Sequence, residues 1–326
     1  MTTRRKLLIA LGLGVFAAPI RSFAQQPSKV WRIGMLETTS MAQNAANLNA
    51  FLKGMQELGY VEGKTFVIEY RSADGRAERF PDLAAEMVRG KIDLIVTRGT
   101  PATLAAQKAS TAIPVVTTTT SVPLLFATSL ARPGGNITGL TAFDTELQGK
   151  RVELLREIVP GLARLAVLLD MGNPASAAMW KEMEKAVRSV AIPSLLLDVR
   201  KREDIGPAFD HAVRQRVGGL ISDANIIVRA NSKLIYELAA KHRLPVIYQS
   251  REYVIDGGLI SYGVNYPDLY RRAAAYVDKI LKGAKPGNLP IEQPTKFDLA
   301  INLKTAKALG ITIPQSVLVR ATELIQ

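Results

Sequence analysis

The chain has 326 residues, which is more than one hydrophobic core usually organises, so its length predicts two domains. Hydrophobic residues make up 48% and charged residues 22% of the sequence, the balance of a globular protein. The absence of cysteine excludes disulfides, thiolate metal sites, a cysteine nucleophile and a lipid-modified N-terminal cysteine. The formal charge of +13 comes from basic residues scattered among acids, whereas nucleic-acid binding requires a basic stripe.

The first 24 residues have the pattern of an export signal. Basic residues at 4–6 precede an apolar segment at 7–18 that is too short to span a bilayer, and a small-x-small site at 22–24 predicts cleavage after Ala24. The arginine pair also resembles a twin-arginine signal, so the general secretion and twin-arginine routes both stay open. Cleavage removes four basic residues and leaves a charge of +9. We expect a mature protein in the periplasm with no anchor in the membrane.

Strands and helices alternate through the first half of the chain. Short apolar runs predict strands, and helical spacing of apolar residues predicts the helices between them. The predicted strands are 31–36, 65–70, 93–97, 114–118 and 137–143, and the predicted helices are 48–58, 77–88, 102–109 and 124–130.

The same alternation restarts in the second half. Predicted helices are 147–159, 175–190, 203–215, 232–242, 266–282 and 303–309, and predicted strands are 165–169, 194–199, 219–222, 245–248, 259–262 and 297–301. This pattern with short loops predicts an α/β fold of two doubly wound parallel-sheet lobes. Ligands of such sheets bind at the carboxyl ends of the strands, so we expect a ligand cleft between the lobes.

One loop shows how such a cleft would bind a ligand. The predicted strand 93–97 is followed by Arg98, Gly99, Thr100 and Pro101, and then by the predicted helix 102–109. Glycine permits a sharp turn, threonine is a good helix cap, and proline suits the first helical position. The resulting helix N-terminus is a site for an anionic group such as a carboxylate.

Polar side chains recur at the other predicted strand ends, where they form a set of candidate ligand contacts. Hydroxyls and helix N-termini suit a carboxylate, acids suit an ammonium, and tyrosine suits a ring or an apolar part. The sequence therefore predicts a cleft for a small polar or zwitterionic solute. The candidates are Thr38, Thr39, Ser40, Thr100, Thr120, Ser121, Asn173, Asp223, Tyr248 and Glu252.

Motifs for catalysis and for cofactors are absent from the sequence. There is no phosphate-binding loop, no dinucleotide-binding glycine motif, no GxSxG and no HExxH. The only histidines, His211 and His242, lie in predicted helices and far apart, which disfavours a metal site or a histidine-based triad. We therefore predict no cofactor, no metal and no catalysis, although a pair of loop carboxylates acting in an exported enzyme stays open.

Six blocks of the sequence, in chain order, carry a resemblance to a known family. The blocks are LNAFLKGMQELGYVEGKTFVIEYR (48–71), GTPATLAAQKA (99–109), TSLARPGGNITGL (128–140), GKRVELLREIVPG (149–161), LAAKHRLPVIYQSREYVIDGGLISYG (238–263) and YVDKILKGAKPGNLPIEQPTKFDLAINLKTAKALGITIP (276–314). They closely resemble a large bacterial family, the periplasmic substrate-binding proteins of ABC-type transporters whose better-understood members bind aromatic amino acids. The resemblance runs from Trp31 to the C-terminus.

The resemblance implies the type I periplasmic binding fold, in which three crossovers join two lobes. It places these crossovers near 143–145, 263–265 and 293–297 of this sequence. The implied domains are a signal peptide at 1–24, lobe one at 29–144 plus 265–292, and lobe two at 145–264 plus 293–326.

The resemblance also implies ligand contacts from the loops after the first, third and fourth strands, and from Asn173, Asp223 and segment 248–252 in lobe two. One position departs from the family pattern. Many members have Asp-Pro after the fourth strand, where this chain has Thr120 and Ser121 before Val122-Pro123. An ammonium contact would then shift to another acid, for which Glu37, Asp170, Asp223 and Glu252 are the candidates, or the ligand would not be an amino acid.

We predict an extracytoplasmic solute-binding protein that closes by hinge motion around one small solute, with a membrane permease as its partner and a monomer as its oligomeric state. Two alternatives stay open. One is an exported α/β enzyme that acts on a small solute, and the other is a ligand-sensing subunit of a membrane receptor.

Overall fold

A computed structural model describes residues 29–142, 147–223 and 225–326. The predicted leader at 1–24 and the predicted first crossover at 143–145 lie outside these residues. Within them, two β-sheets with helices packed on their faces form two α/β lobes, which confirms the predicted fold class.

The first lobe begins with alternating strands and helices. Its strands are short and largely buried, as parallel strands covered on both faces usually are. These elements are β1 (Trp31–Glu37), α1 (Ala45–Glu57), β2 (Phe66–Ser72), α2 (Phe80–Arg89), β3 (Leu94–Thr97), α3 (Thr100–Ala109), β4 (Val115–Thr120) and β5 (Ile137–Thr141).

The second lobe repeats this alternation and adds two helices of five residues. Its elements are α4 (Gln148–Ile158), β6 (Leu165–Leu169), α5 (Ser176–Ser189), β7 (Ser194–Asp198), α6 (Ile205–Arg214), β8 (Gly219–Ser222), α7 (Ile226–Ala230), α8 (Ser232–Lys241), β9 (Val246–Tyr248), α9 (Arg251–Ile255) and β10 (Ile260–Val264).

The chain then returns to the first lobe and crosses once more to the second. Helix α10 packs on α1, and β11 joins the first sheet beside β5, whereas β12 and β13 join the second sheet. The domain boundaries inferred from the resemblance remain a prediction. The remaining elements are α10 (Tyr266–Leu281), β11 (Ile291–Glu292), β12 (Phe297–Asn302), α11 (Leu303–Leu309), α12 (Gln315–Leu318) and β13 (Glu323–Ile325).

Both sheets share one strand order. The first reads β11-β5-β4-β3-β1-β2, and the second reads β13-β12-β10-β9-β8-β6-β7. In each sheet, the order in which successive strands are added therefore reverses between two neighbouring strands. These are β1 and β3 in lobe one, and β6 and β8 in lobe two. In open parallel sheets, ligands bind at the carboxyl ends of the strands next to this reversal.

The second sheet is not entirely parallel. Strand β12 pairs antiparallel with β10, with Ile260 opposite Ile301 and Val264 opposite Phe297. The reason is its connection, since β12 enters from the first lobe rather than through a helix crossover within its own lobe.

Two local predictions differ from the structure. The predicted helix 124–130 is only one 3₁₀ turn at Pro123–Leu125, and Leu124 and Leu125 are exposed there. Helices α7 and α9 did not emerge from the sequence, because five residues are too few to show a helical period.

The buried core continues between the lobes. One apolar cluster contains Phe80 of α2 in lobe one together with Ile226 and Val228 of α7 in lobe two. The two lobes are therefore packed against each other at the carboxyl edges of their sheets.

Candidate ligand-binding site

A cavity of about 300 Å³ lies between the lobes at the two sheet reversals. This volume is at the lower end of the range for small-molecule sites. Its lobe-one wall comes mainly from the loops after β1, β3 and β4 and from the start of α2. Its lobe-two wall comes from the loops after β6, β8 and β9, and Tyr266 at the start of α10 closes one side.

The loop after β3 aims the N-terminus of α3 at this cavity. Gly99 has φ 81° and ψ 162°, a conformation that residues with a Cβ rarely adopt. Thr100 and Pro101 then form the first helical residues, and both line the cavity. Amide groups of a first helical turn have no partners within the helix, so this end favours an anionic group.

Threonines of β4 hold the loop in place. The Thr119 hydroxyl accepts a hydrogen bond from the Gly99 amide at 3.1 Å, and the hydroxyls of Thr120 and Thr100 are 3.2 Å apart. Thr118 donates to the carbonyl of Thr97 at 2.9 Å. The polar end of β4 therefore fixes the position of α3 as well as presenting groups to a ligand.

The wall from lobe two combines carboxylates with capped loops. Asp170 and Asp223 line the cavity and are almost fully buried. Asp170 accepts a hydrogen bond from the Gly172 amide at 2.9 Å, and burial raises the pKa of its carboxyl. Asn173 accepts from the Ala175 amide at 3.1 Å, which orders the start of α5.

Two buried donors on α7 and its cap lack hydrogen-bond partners among the described residues. Asn225 uses its Oδ1 to accept from the Val228 amide at 2.8 Å, but its Nδ2 has no partner in the part of the chain that the structure describes. Within the same residues, the Nε of Arg229 makes no hydrogen bond. Both residues line the cavity and are at least 94% buried. Because a buried donor without a partner is costly, the part of this wall formed by α7 suits acceptor atoms of a ligand, whereas Asp170 and Asp223 suit donor groups.

Half of the ten candidate residues line the cavity. The structure brings Thr38, Thr100, Ser121, Asn173 and Asp223 together there, from both lobes. The other half do not line it, namely Thr39, Ser40, Thr120, Tyr248 and Glu252.

Those five have other surroundings. Thr39 is buried and its carbonyl accepts a hydrogen bond from Tyr70, while the Ser40 hydroxyl accepts from the Gln43 amide at 3.4 Å. The hydroxyl of Thr120 is 3.2 Å from that of Thr100. Tyr248 is a core residue that stacks on Tyr253 at 5.2 Å, because alternation along β9 turns its side chain away from the cavity and Gln249 toward it.

Glu252 joins the lobes rather than facing the cavity. Its carboxylate accepts a hydrogen bond from Arg98 of lobe one at 2.9 Å and another from Asn47 of the same lobe. Glu37, the other acid considered for an ammonium contact, is fully buried and accepts hydrogen bonds from Tyr270 at 2.8 and 2.9 Å. Of the four acids considered, Asp170 and Asp223 are the two that line the cavity.

Sequence reasoning missed several cavity residues. Arg98 and Arg229 are both buried, and the Arg98 guanidinium lies 5.0 Å from the centre of the Tyr266 ring. Arg98 could have been suspected, since an arginine directly after an apolar strand and before a helix cap has little room to reach solvent. Arg229 and Tyr266 gave no such signal, because their position depends on how the two lobes meet.

Within residues 29–142, 147–223 and 225–326, no three side chains of histidine, cysteine or acidic type cluster as metal ligands would. Over the same ranges, no helix is both long and apolar enough to cross a bilayer.

The chain belongs to the ABC transporter substrate binding protein family, whose model matches residues 33–325. A curated relative from Clostridioides difficile (strain R20291), named tyrosine-binding protein, is 25% identical over 263 residues, which are 80% of this chain and 75% of the relative. The family membership that the six blocks suggested is therefore confirmed. Such proteins serve ABC importers outside the cytoplasm, with a solute and a permease as partners.

Two solved structures show the same fold. A domain from Streptococcus pneumonia in complex with L-Trp is 22% identical, covers 91% of this chain and all of its own, and gives a TM-score of 0.83. The ligand-free, open structure of a substrate binding protein with adhesive properties from Clostridium difficile is 21% identical. It covers 91% of this chain and 99% of its own, with a TM-score of 0.66.

Proposed function

We propose that the cavity binds one α-amino acid and that the chain delivers it, chemically unchanged, to the permease of an ABC importer. The observation that supports this most is that the two lobes present different chemical groups to the cavity. Lobe one contributes a helix N-terminus and hydroxyls, and lobe two contributes two carboxylates. A zwitterion matches both walls at once, so its binding favours the closed arrangement of the lobes.

The carboxylate of the solute lies at the N-terminus of α3 in this proposal. Thr100 and Ser121 present hydroxyls there, and the first-turn amides add a favourable dipole. Thr38 completes this wall from the loop after β1.

The ammonium lies against lobe two. Asp170 and Asp223 replace the acid that many family members have after the fourth strand, where this chain has Thr120 and Ser121. Asn173 lies beside them on the same wall. The ammonium contact has therefore moved from one lobe to the other, which keeps a zwitterionic ligand compatible with the departure in sequence.

The side chain of the solute extends along α3. Phe80, Pro81 and Leu104 line this part from lobe one, and Met179 faces them from lobe two. These apolar surfaces suit an aromatic or long aliphatic side chain. The relative named tyrosine-binding protein and the L-Trp complex support this choice of ligand class.

The test is calorimetry on protein that has been unfolded and refolded to remove bound solute. We expect one molecule of L-tryptophan or L-tyrosine per chain. Tryptamine, which lacks the carboxylate, and indole-3-propionate, which lacks the ammonium, should each bind at least 100-fold more weakly. Recovery of unchanged amino acid after prolonged incubation separates binding from catalysis. Turnover of the ligand, or equal affinity for the truncated analogues, would contradict the proposal.

We further propose that the chain is exported and cleaved after Ala24, and that the mature protein is a periplasmic monomer. The basic, apolar and small-residue segments of the leader support export. N-terminal sequencing of the periplasmic protein and light scattering of its mass test the two statements. A retained leader or a dimer would contradict them.

A further inference from the structure

Glu252 lies where the two lobes meet, on α9 of lobe two. Its side chain is 10% exposed, as is that of its partner Arg98. Arg98 of lobe one donates to its Oε2 at 2.9 Å, and the Nδ2 of Asn47, also of lobe one, donates to its Oε1. Both hydrogen bonds thus cross from one lobe to the other.

The surroundings favour a charged carboxylate at this position. Burial alone would raise the pKa of Glu252, but Arg98 and then Arg229 outweigh burial and hold the pKa below its usual value. The Nε of Arg229 is 3.9 Å away, too long for a hydrogen bond. The strongest contacts of this carboxylate are therefore those to the other lobe.

These contacts connect the cavity with the crossover. Arg98 lines the cavity, donates to Asn44 at 2.8 Å and lies over the ring of Tyr266. Tyr266 is the first residue of α10, and Asn265 alone separates it from β10 of lobe two. If the lobes separate, Arg98 and Asn47 move away from Glu252, and each group is hydrated instead.

We propose that Glu252, Arg98 and Asn47 form an inter-lobe latch, in which Glu252 sets the balance between open and closed lobes without touching the solute. The latch rests on the proposed function, since it presumes that this chain closes around a ligand. Glu252 is a positioning residue in this proposal, whereas the sequence analysis predicted a ligand contact for it. Breaking a buried ion pair is costly, so loss of the carboxylate favours the open form, where Arg98 is hydrated.

The test measures the distance between the lobes directly. The chain has no cysteine, so Lys64→Cys on lobe one and Lys181→Cys on lobe two, both exposed, place two spin labels for pulsed electron paramagnetic resonance. Distances are recorded without solute and with saturating L-tryptophan or L-tyrosine. We expect Glu252→Gln to lower the closed-to-open ratio, and the affinity for the amino acid, at least tenfold.

Asn47→Asp supplies a second variant, since a carboxylate facing Glu252 repels it on closure. In the double variant Asn47→Asp with Glu252→Gln, this repulsion is absent, so the combined loss of affinity is smaller than the product of the single losses. Glu323→Gln is the matched control, because it breaks the 3.0 Å ion pair with Arg251 inside lobe two alone.

The outcomes separate the latch from the proposed function. If the wild-type chain binds and closes but Glu252→Gln and Asn47→Asp lower only the melting temperature, the three residues are a static clasp and the latch is overturned. If neither amino acid binds the wild-type chain, the proposed function fails, and the latch is judged on the distances without solute. A shift of those distances by Glu252→Gln alone supports the latch, and identical distances overturn it.

Discussion

Thr100 is the residue on which the site argument most depends. Its hydroxyl lies at the N-terminus of α3 and faces the cavity, 3.2 Å from the hydroxyl of Thr120. We expect Thr100→Val to weaken amino acid binding three- to tenfold, since a hydrogen bond contributes about 1 kcal/mol. Calorimetry measures this effect.

A buried threonine on β5 provides the control for that variant. The hydroxyl of Thr138 donates to the carbonyl of Leu289 at 2.8 Å, outside the cavity wall. Thr138→Val should therefore lower stability and leave affinity unchanged. Equal affinities for the wild type and Thr100→Val would remove Thr100 from the site.

Glu37 makes a testable contribution to pH dependence. Burial raises the pKa of its carboxyl to about 7, although Arg98 and the hydrogen bond from Tyr270 oppose the rise; Glu252 adds to the rise and Asn44 also opposes it. The pKa of Glu37 is higher in the folded chain than in the unfolded chain, so protonation of this carboxyl stabilises the folded state. The stabilisation is complete below about pH 4.5 and is lost as pH rises through 7. The free energy of unfolding should fall by up to about 3 kcal/mol over that window.

Urea unfolding of the wild type and of Glu37→Gln between pH 4.5 and 7.5 checks this. The glutamine imitates the protonated acid and cannot ionise, so the variant should lack the part of the pH dependence that Glu37 contributes. Identical slopes in both proteins would show that the carboxyl titrates as an ordinary glutamate.

At the residue scale, the sequence located polar strand ends but not the direction of their side chains. Thr100 and Ser121 face the cavity as expected, whereas Tyr248 points into the core because of its register on β9. The sequence placed Glu252 near the carboxyl edge of the second sheet. The short helix α9, which directs its side chain toward Arg98, shows no helical spacing of apolar residues. Such directions depend on packing between the lobes, which local pattern does not encode.

At the element scale, α7 is one of the parts of lobe two that pack against lobe one, together with α9. Gly75, in the turn before α2, lies against Ala230 at the end of α7, so a Cβ at position 75 would overlap the Cβ of Ala230. Gly75 also has φ 83°, where an alanine is strained by about 1 kcal/mol in any state of the lobes. We expect Gly75→Ala to weaken amino acid binding at least tenfold by wedging the lobes apart.

Gly63 separates wedging from backbone strain. Its φ is 77°, but nothing lies within 4 Å of a Cβ placed there. Gly63→Ala should therefore cost similar stability and leave binding unchanged, and Ala230→Gly should restore part of the affinity of Gly75→Ala. Equal binding by Gly75→Ala and Gly63→Ala would mean that α7 does not approach Gly75 in the liganded protein.

Long helices and the core strands were predicted well, whereas the five-residue helices α7 and α9 were missed. The helices α1, α5 and α10 emerged from apolar spacing within a few residues of their bounds. Helix α7 has four consecutive buried residues and so lacks a polar face, which is the feature that makes a surface helix visible in sequence.

At the scale of the whole molecule, two sheets with the same strand order face each other across one cavity. The alternation of elements predicted this architecture, and the two observed sheets confirm it. The antiparallel pairing of β12 with β10 was not predicted, because it follows from the return of the chain from lobe one. The packing of the two lobes against each other likewise depends on contacts between distant segments.

Closure of the two lobes around a small solute is tested most directly by small-angle X-ray scattering of the protein in solution. Scattering is recorded on refolded, solute-free protein and after saturation with L-tryptophan or L-tyrosine, with binding verified by calorimetry on the same sample. We predict a smaller radius of gyration and a saturated profile that fits the closed lobes of this structure. A ligand that binds stoichiometrically and leaves the scattering profile unchanged would contradict the account.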